Sequence, residues 1–279
     1  MAQNIFFVTF AKNYNLHCKN ALFSKYWIML REETVFGPIK SRRLGNSLGI
    51  NLLPENGKIC NFDCIYCECG WNKDGRDDTV LPTAEKVRHD LEAKLQNIRN
   101  SGIEVDSITF SGDGEPTLNP EFPEIIDDTV ALRDTYYPKA KISVLSNATR
   151  VHRPEILAAL KKVDNPIMKI DAPTNALAQK INNPAPGYDV AAVVEALRGF
   201  NGDFILQTMF LRSPEFDSSS PEVLDGMMNI VRTLRPREVM VYTIDRPTPA
   251  ENLSKFTVDE MRALLTPLFD EGFKIQIKG

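Results

Sequence analysis

Long apolar runs, histidine and cysteine are all scarce in this sequence of 279 residues. No stretch of 18 consecutive apolar residues occurs, which excludes a membrane-spanning helix of the usual kind. The N-terminal segment contains neither a continuous apolar region nor a small-residue cleavage site, so it does not resemble a secretory signal peptide. Five cysteines are too few for the disulfide framework of a small secreted protein. We therefore expect a cytoplasmic protein that does not enter a membrane.

Neither sign of charge dominates the sequence. The 33 Lys and Arg residues stand against 37 Asp and Glu residues, which gives a formal net charge of −4. Proteins that bind nucleic acid nonspecifically usually carry a basic excess, and this chain lacks one. Hydrophobic residues make up 43% and charged residues 25% of the chain, as in an ordinary globular protein. A chain of this length and composition can bury a substantial core.

Short apolar runs alternate with longer amphipathic segments from about residue 48 onward. Seven of these runs predict buried strands, at 47–53, 107–111, 142–146, 167–171, 204–211, 238–244 and 274–278. Regular alternation of strand and helix favours right-handed crossovers and a parallel sheet. We therefore predict an α/β fold with six βα units, two short of a complete eightfold barrel, and an extra C-terminal strand.

The intervening segments carry clear helix signals. Val87, Leu91, Leu95 and Ile98 form one apolar stripe on a helix that stops at Gly102. Further helices are predicted to begin at Asn119-Pro120, Arg153-Pro154, Ser220-Pro221 and the capping box of Thr257 and Glu260, and one more over 189–198.

Residues 1–28 do not follow this alternation. They hold seven of the 24 aromatic residues, three lysines and no acidic residue. So short a segment rarely buries enough apolar surface to order itself. We expect an N-terminal extension that is disordered or precedes the true first residue, Met29, and a single core domain over 29–279. The alternative is an arm that packs its aromatic side chains over the open side of the barrel.

Three cysteines follow the first predicted strand within eight residues. Cys60, Cys64 and Cys67 have three and then two residues between them, and Cys69 follows two positions later. Thiolates are soft ligands that select iron–sulfur clusters or zinc. Three ligands would leave one iron of a cubane cluster open, whereas recruitment of Cys69 would close the site. The closed alternative predicts an iron–sulfur electron carrier or a zinc-binding adaptor instead of an enzyme.

Polar residues stand at the ends of the later strands. Gly114 and Glu115 follow the second predicted strand, and Ser146 and Asn147 follow the third. The fourth predicted strand ends at Asp171. The carboxyl ends of parallel strands meet at one edge, where α/β folds bind their ligands, so we expect these side chains to lie together. Gln207, in the middle of the fifth strand, is predicted to face the barrel interior.

The cysteine spacing, with Tyr66 before the last cysteine, resembles that of the radical S-adenosylmethionine (radical SAM) enzymes. The resemblance covers roughly residues 35–250 and implies a partial (β/α)6 radical SAM barrel. It also implies a [4Fe–4S] cluster held by Cys60, Cys64 and Cys67. S-adenosylmethionine would bind the open iron and be cleaved to a 5′-deoxyadenosyl radical, which abstracts hydrogen from a substrate. An electron donor of the flavodoxin or ferredoxin type would supply the electron.

The same resemblance implies roles for the polar residues. Segment 111–116 is similar to the family motif that contacts the methionyl amino group, with Asp113 where a glycine is usual. The cofactor-binding residues implied by these matches are Tyr66, Gly114, Glu115, Ser146, Asn147, Asp171 and Gln207.

Segments 36–45, 114–118 and 242–247 resemble the branch related to the wyosine tRNA-base synthases. That resemblance implies a tRNA base as the substrate. Arg42, Arg43 and Arg246 would bind an anionic group of the cofactor or substrate, or else form surface ion pairs. A third alternative is a maturase that acts on the backbone of a partner protein. We expect a monomer.

Overall fold

The computed structural model describes residues 30–31, 33–41, 44–74 and 77–279. In these ranges there are nine strands: β1 Val35–Ser41, β2 Gly45–Ile50, β3 Ser107–Phe110, β4 Lys141–Ser146, β5 Asn165–Lys169, β6 Ile205–Arg212, β7 Glu238–Thr243, β8 Ser254–Lys255 and β9 Ile275–Lys278. The α-helices are α1 Ala84–Asn100, α2 Phe122–Tyr136, α3 Pro154–Leu160, α4 Asn175–Ile181, α5 Val190–Leu197, α6 Pro221–Leu234, α7 Val258–Leu264 and α8 Thr266–Asp270.

The strands form one sheet in the order β1-β2-β3-β4-β5-β6-β7-β9, and β8 pairs with β6. Strands β2 to β7 are parallel to one another in successive pairs, and β9 runs parallel to β7. The sheet curls into a half-barrel with helices on its outer face. The predicted fold, six βα units with an extra C-terminal strand, is therefore confirmed.

Strand β1 was not predicted from the sequence. It runs antiparallel to β2, and the register shifts between Phe36 and Ile39, where Gly37-Pro38 interrupts the alternating pattern. A Cβ atom on Gly49 of β2 would lie only 2.2 Å from the ring of Phe36. The ring therefore packs directly over the backbone of β2, and β1 forms an edge of the sheet.

Most of the predicted helix boundaries are confirmed. The stripe of α1 is buried, and the capping box of α7 is present in both directions. The predicted start of α2 at Pro120 was wrong, because the helix begins at Phe122. The Asn119 side chain instead donates to the carbonyl oxygens of Leu52 and Pro82, which ties the loop to β2.

The two faces of the half-barrel differ in polarity. Its outer face and the helices form the main apolar core. Ile167, Ile205 and Met240 form a separate small cluster on the other face, against Leu44 and Leu145. The amino-terminal ends of the strands add a hydrogen-bonded polar layer to that inner face, made of Ser47, Ser107, Thr109, Ser143 and Asn165. The interior is thus partly polar, while the core lies outside the sheet.

Two further expectations concern the chain as a whole. No helix of the described residues combines the length and the apolar character needed to cross a bilayer. Residues 1–28 lie outside the described residues, so the expectation of an extension or an arm stays a prediction, as does the start at Met29.

Candidate active site

The cysteine loop is docked onto the carboxyl end of β3. The Ile59 N–H donates to the carbonyl oxygen of Asp113 at 3.1 Å, and the Glu115 N–H donates to the Ile59 carbonyl at 3.1 Å. Gly114 lies between these two bonds with φ of +143°, and a Cβ atom there would stand 1.8 Å from the Ile59 oxygen. Only glycine allows this approach.

The loop is held on its other side by α4 and by the segment after β7. The Asp63 N–H donates to the Asn182 carbonyl at 2.9 Å, and the Ile65 N–H donates to the Ile181 carbonyl at 3.1 Å. The Ala250 N–H donates to the Ile65 carbonyl at 3.2 Å. The cysteines are therefore presented by a backbone that contacts three parts of the barrel edge.

Polar hydrogens surround two of the cysteine sulfurs. The Phe62 N–H donates to the Cys60 sulfur at 3.4 Å, and the Asn147 amide lies 3.9 Å from the same atom. The Lys169 ammonium and the Asn182 amide donate to the Cys64 sulfur at 3.2 and 3.4 Å. Hydrogen bonds to sulfur stabilise thiolates and help set the potential of iron–sulfur clusters.

The thiols of the loop differ in pKa. A hydrogen bond with Cys69, opposed by burial and aided by the charge of Lys58, lowers the pKa of Cys67 to about 6. Burial raises the pKa of Cys60 to about 12 and also raises the pKa of Cys64. Since the thiolate is the form that binds metal, Cys67 is the thiol that is most readily available as a ligand at neutral pH.

Besides its hydrogen bond with Cys67, Cys69 has contacts on the other side of the loop. Its sulfur lies 3.6 Å from Oδ1 of Asp113 and 3.7 Å from Nη1 of Arg31. Arg31 in turn binds Asp113 with its backbone N–H at 2.7 Å and its guanidinium at 3.0 Å. Asp113 stands where the similar family motif usually has a glycine. Its carboxylate therefore joins Arg31 to the cysteine loop. The sequence carried no signal for Arg31.

The thiols of the loop could bind either a single zinc ion or an iron–sulfur cluster, and these two kinds of site require different arrangements of the sulfurs. A tetrahedral zinc ion brings its sulfur ligands to about 3.8 Å of each other, because Zn–S bonds are about 2.3 Å long. Among the described residues, no three His, Cys, Asp or Glu side chains converge in the way that an ion requires. A cubane cluster instead binds each thiolate to a different iron. Three thiols on one loop, two of them with N–H donors at their sulfurs, fit such a cluster better than they fit zinc.

Glu115 joins the ends of β3 and β4. Its buried Oε1 accepts hydrogen bonds from the Thr117 N–H at 3.1 Å, the Thr117 hydroxyl at 2.6 Å and the Ser146 hydroxyl at 2.8 Å. Its Oε2 accepts one bond, from the Asn147 N–H at 2.7 Å. Burial raises the pKa of Glu115 although these donors oppose the shift. Because an ionised carboxylate oxygen has two lone pairs, Oε2 can accept a second donor.

A second polar network lies at the end of β5. The buried Asp171 carboxylate accepts hydrogen bonds from the Tyr66 hydroxyl, from the Asn182 amide at 2.7 Å and from the Met209 N–H at 2.9 Å. Lys169 lies 3.4 Å from Asp171 and donates to the Tyr66 hydroxyl at 2.8 Å. Burial opposes the charge of Lys169, but the sulfur of Cys64 and the Asp171 carboxylate outweigh it and raise the pKa of Lys169 well above its usual value.

The structure brings the polar residues predicted from the sequence to the same barrel edge. Gln207 lies beside Lys169 in the register of β5 and β6, and its buried Nε2 has no hydrogen-bond partner. Lys169 was missed as a site residue, although its position two residues before Asp171 places it on the same strand face. Arg246 forms an exposed ion pair with Glu68 at 2.6 Å, and Arg42 and Arg43 lie outside the described residues.

The family model of the radical SAM superfamily matches residues 57–218, more than half of the chain, including the cysteine loop and β3 to β6. The chain belongs to the radical SAM superfamily. The family predicted from the cysteine spacing is therefore confirmed, and membership of it supports an enzymatic role.

The curated relatives of this radical SAM protein add little about its substrate. A UPF0026 protein from Helicobacter pylori is 28% identical over 247 residues, 87% of this chain and 75% of that protein. A protein named GTPase Obg from Brachyspira hyodysenteriae is 29% identical over 237 residues, 83% of this chain and 33% of that protein. The chain thus spans about a third of the length of one relative and three quarters of the other.

Solved structures share the radical SAM fold. A radical SAM methyltransferase from Sphaerobacter thermophilus has a TM-score of 0.62 at 16% identity, covering 83% of this chain and 65% of that one. SuiB from Streptococcus suis, bound to S-adenosylmethionine, has a TM-score of 0.59 at 15% identity, covering 83% and 50%. At these identities the likeness concerns the fold, a partial barrel.

Proposed function

We propose that the chain binds a [4Fe–4S] cluster through Cys60, Cys64 and Cys67 and reductively cleaves S-adenosylmethionine. The observation that supports this proposal is the docking of the cysteine loop at Gly114, which brings Cys60 within electrostatic reach of the buried Glu115 carboxylate. When bound, the cluster supplies the electron that converts S-adenosylmethionine to methionine and a 5′-deoxyadenosyl radical.

The residues around the loop would orient S-adenosylmethionine. Oε2 of Glu115 accepts the methionyl ammonium, since a carboxylate oxygen with one hydrogen bond suits a cationic donor. Ser146 and Asn147 hold that carboxylate in place, and the Asn147 side chain extends toward Cys60. Asp171, with Tyr66, presents oxygen atoms for the ribose, and Gln207 offers an amide N–H from the barrel wall.

The substrate is proposed from the sequence resemblance alone. Segments 36–45 and 242–247 support a place in the branch related to the wyosine synthases, which suggests a tRNA base. A donor of the flavodoxin or ferredoxin type would reduce the cluster, and residues 29–279 would form the catalytic core.

The proposal is tested by anaerobic reconstitution of the full chain with iron and sulfide. About four irons and four sulfides per chain are expected, and S-adenosylmethionine should change the EPR spectrum of the reduced cluster. Reduction in the presence of S-adenosylmethionine should release methionine and 5′-deoxyadenosine. A protein that holds iron and releases neither product would be an electron carrier, which would refute the proposal. Deuterated RNA substrates would then show whether deuterium enters 5′-deoxyadenosine.

A further inference from the structure

A cleft of about 300 Å³ lies beside the cysteine loop, outside the barrel. It is bounded by the loop after β4, the loop between α4 and α5, and α5 itself. The floor of the cleft is mainly apolar, and its rim is basic. The lining includes Asn61, Phe62, Arg150, Asp189, Ala192 and Val193. A volume of this size is at the lower end of small-molecule sites.

The cleft is built onto the cysteine loop. The Ala185 N–H donates to the Asn61 carbonyl at 2.8 Å, and the rings of Phe62 and Tyr188 meet edge to face at 5.0 Å. The Asn61 amide donates to the Thr149 hydroxyl at 2.6 Å, which closes the wall between the cleft and the thiol of the preceding residue. A ligand in the cleft would therefore lie one residue from Cys60.

Among the residues that the structure describes, Arg150 lines this cleft without a direct ion pair, and the charges of Glu115 and Glu155 act on it only from a distance. Its Nε is buried without a hydrogen-bond partner, and no carboxylate of the described residues lies within salt-bridge distance of it. Asp189, which also lines the cleft, is already engaged: it caps α5 through the Ala191 N–H at 3.3 Å and accepts from Asn175 at 3.1 Å. Because the Arg150 guanidinium lines the cleft without an ion pair in the described part of the chain, an anionic ligand in the cleft would supply it with an acceptor.

The other lining residues determine what kind of molecule can carry the anionic group. Phe62 and Val193 are buried, and the other floor positions are alanines and Pro186. Such a floor suits an apolar or planar body and gives a hydrated inorganic ion little to bind.

We propose that this cleft binds a small organic anion, with its phosphate or carboxylate on Arg150 and its apolar body against Phe62 and Val193. This cleft lies outside the barrel and shares no lining residue with the contacts proposed for S-adenosylmethionine, so it is a separate binding site.

The test is calorimetric titration of the reconstituted full chain with phenyl phosphate, benzoate, phenol and inorganic phosphate. At least one of the two organic anions should bind more tightly than phenol and inorganic phosphate, and the tighter of the two identifies the anionic group. Arg150→Met should weaken that binding roughly tenfold to a hundredfold, as expected for a lost charge-assisted hydrogen bond, and leave phenol unchanged. Arg153→Met removes an equal charge from an exposed neighbour outside the lining and should change the affinity less than about threefold.

A second pair of variants does not depend on the arginines. Ala192→Trp should fill the cleft and abolish binding, while Ala191→Trp, at an exposed position outside the lining, should preserve it. Equal effects of the two arginine variants, or of the two tryptophan variants, would overturn the proposal, as would a failure of both organic anions to bind at millimolar concentration. Cleavage of S-adenosylmethionine is measured separately, so its absence would refute the proposed function and leave the binding result standing.

Discussion

The ammonium of Lys169 lies 3.2 Å from the sulfur of Cys64. The two residues are 105 positions apart in the chain, and the Lys169 ammonium also lies 5.1 Å from the centre of the Tyr66 ring. A buried cation at this distance favours the thiolate over the thiol. In a cluster protein, a charged hydrogen bond to a ligand sulfur also favours the reduced, more negative state.

Lys169→Met is therefore expected to make the midpoint potential of the reconstituted cluster more negative, because the cation next to the Cys64 sulfur is removed. Lys169→Arg should restore part of the shift, and Lys162→Met, which removes an exposed lysine paired with Asp127, should cause none. Redox titration followed by EPR measures the potential. Equal potentials in wild type and Lys169→Met would show that the contact does not affect the cluster.

The cysteines should separate into two groups on substitution. Cys60→Ala, Cys64→Ala and Cys67→Ala should each lose the cluster, because each removes one of only three ligands. Cys69→Ala should retain iron, because Cys69 is not one of the three proposed ligands; its sulfur lies against Asp113 and Arg31 and is hydrogen-bonded with Cys67. Iron and sulfide analysis after reconstitution measures this. Loss of iron in Cys69→Ala would favour the closed four-thiolate site.

Gly114→Ala should prevent the cysteine loop from docking, because the added Cβ would overlap the Ile59 oxygen. We expect a loss of more than about 2 kcal/mol in the free energy of unfolding, together with loss of cluster binding. Gly187→Ala is the matched control, since Gly187 also has a positive φ, +87°, but its Cβ would meet nothing within 4 Å. Similar losses in the two variants would attribute the effect to φ alone.

Glu115→Gln should weaken the binding of S-adenosylmethionine roughly tenfold to a hundredfold, as expected when a charge-assisted hydrogen bond is lost. The added amide hydrogens would also face the donors of Ser146 or Asn147, so the melting temperature should fall. Thr117→Val separates the two effects, because it removes one donor to Glu115 and keeps the carboxylate charge. It should lower stability and leave the affinity within about threefold. An unchanged affinity in Glu115→Gln would remove this residue from the cofactor site.

Asp164 should contribute to stability in a pH-dependent way. Burial opposes ionisation, but the hydrogen bonds from Lys141, the Ile142 N–H and Arg133 outweigh it and lower the pKa of Asp164. Its contribution is therefore fully present above the unfolded pKa of about 3.9 and is lost as the pH falls through the lower folded value.

Asp164→Asn should accordingly cost about 1 kcal/mol at pH 7, a figure reduced for the solvent screening of this partly exposed group, and should flatten the acid limb of the stability profile. Urea unfolding from pH 7 down to about pH 2 measures both effects, because the loss extends below the unfolded pKa. Asp134→Asn, at the more exposed partner of Arg133, is the control and should change stability by less than about 0.5 kcal/mol. An unaltered acid limb in Asp164→Asn would contradict the assignment.

Features that depend on neighbouring residues were predictable from the sequence. Apolar runs predicted the parallel strands, and the capping box of Thr257 and Glu260 predicted the start of α7, because both signals act over a few residues. The spacing of Cys60, Cys64 and Cys67 was sufficient to indicate the family for the same reason. Local signals failed at Asn119, whose side chain binds the distant Leu52 carbonyl, so α2 begins at Phe122.

Features that join distant residues were decided by the tertiary structure. Lys169 reaches Cys64 only because β5 ends beneath the cysteine loop, and Arg31 reaches Asp113 across 82 positions of the chain. The position of Arg150 in a cleft next to Asn61 likewise depends on how the loop after β4 meets the cysteine loop. The sequence by itself determined the parallel strands, most of the helix starts and the cysteine spacing typical of the family, because these follow from short-range patterns. Which charges surround those thiols was determined by tertiary packing, because hydrogen bonds and ion pairs form between groups that the sheet topology brings together.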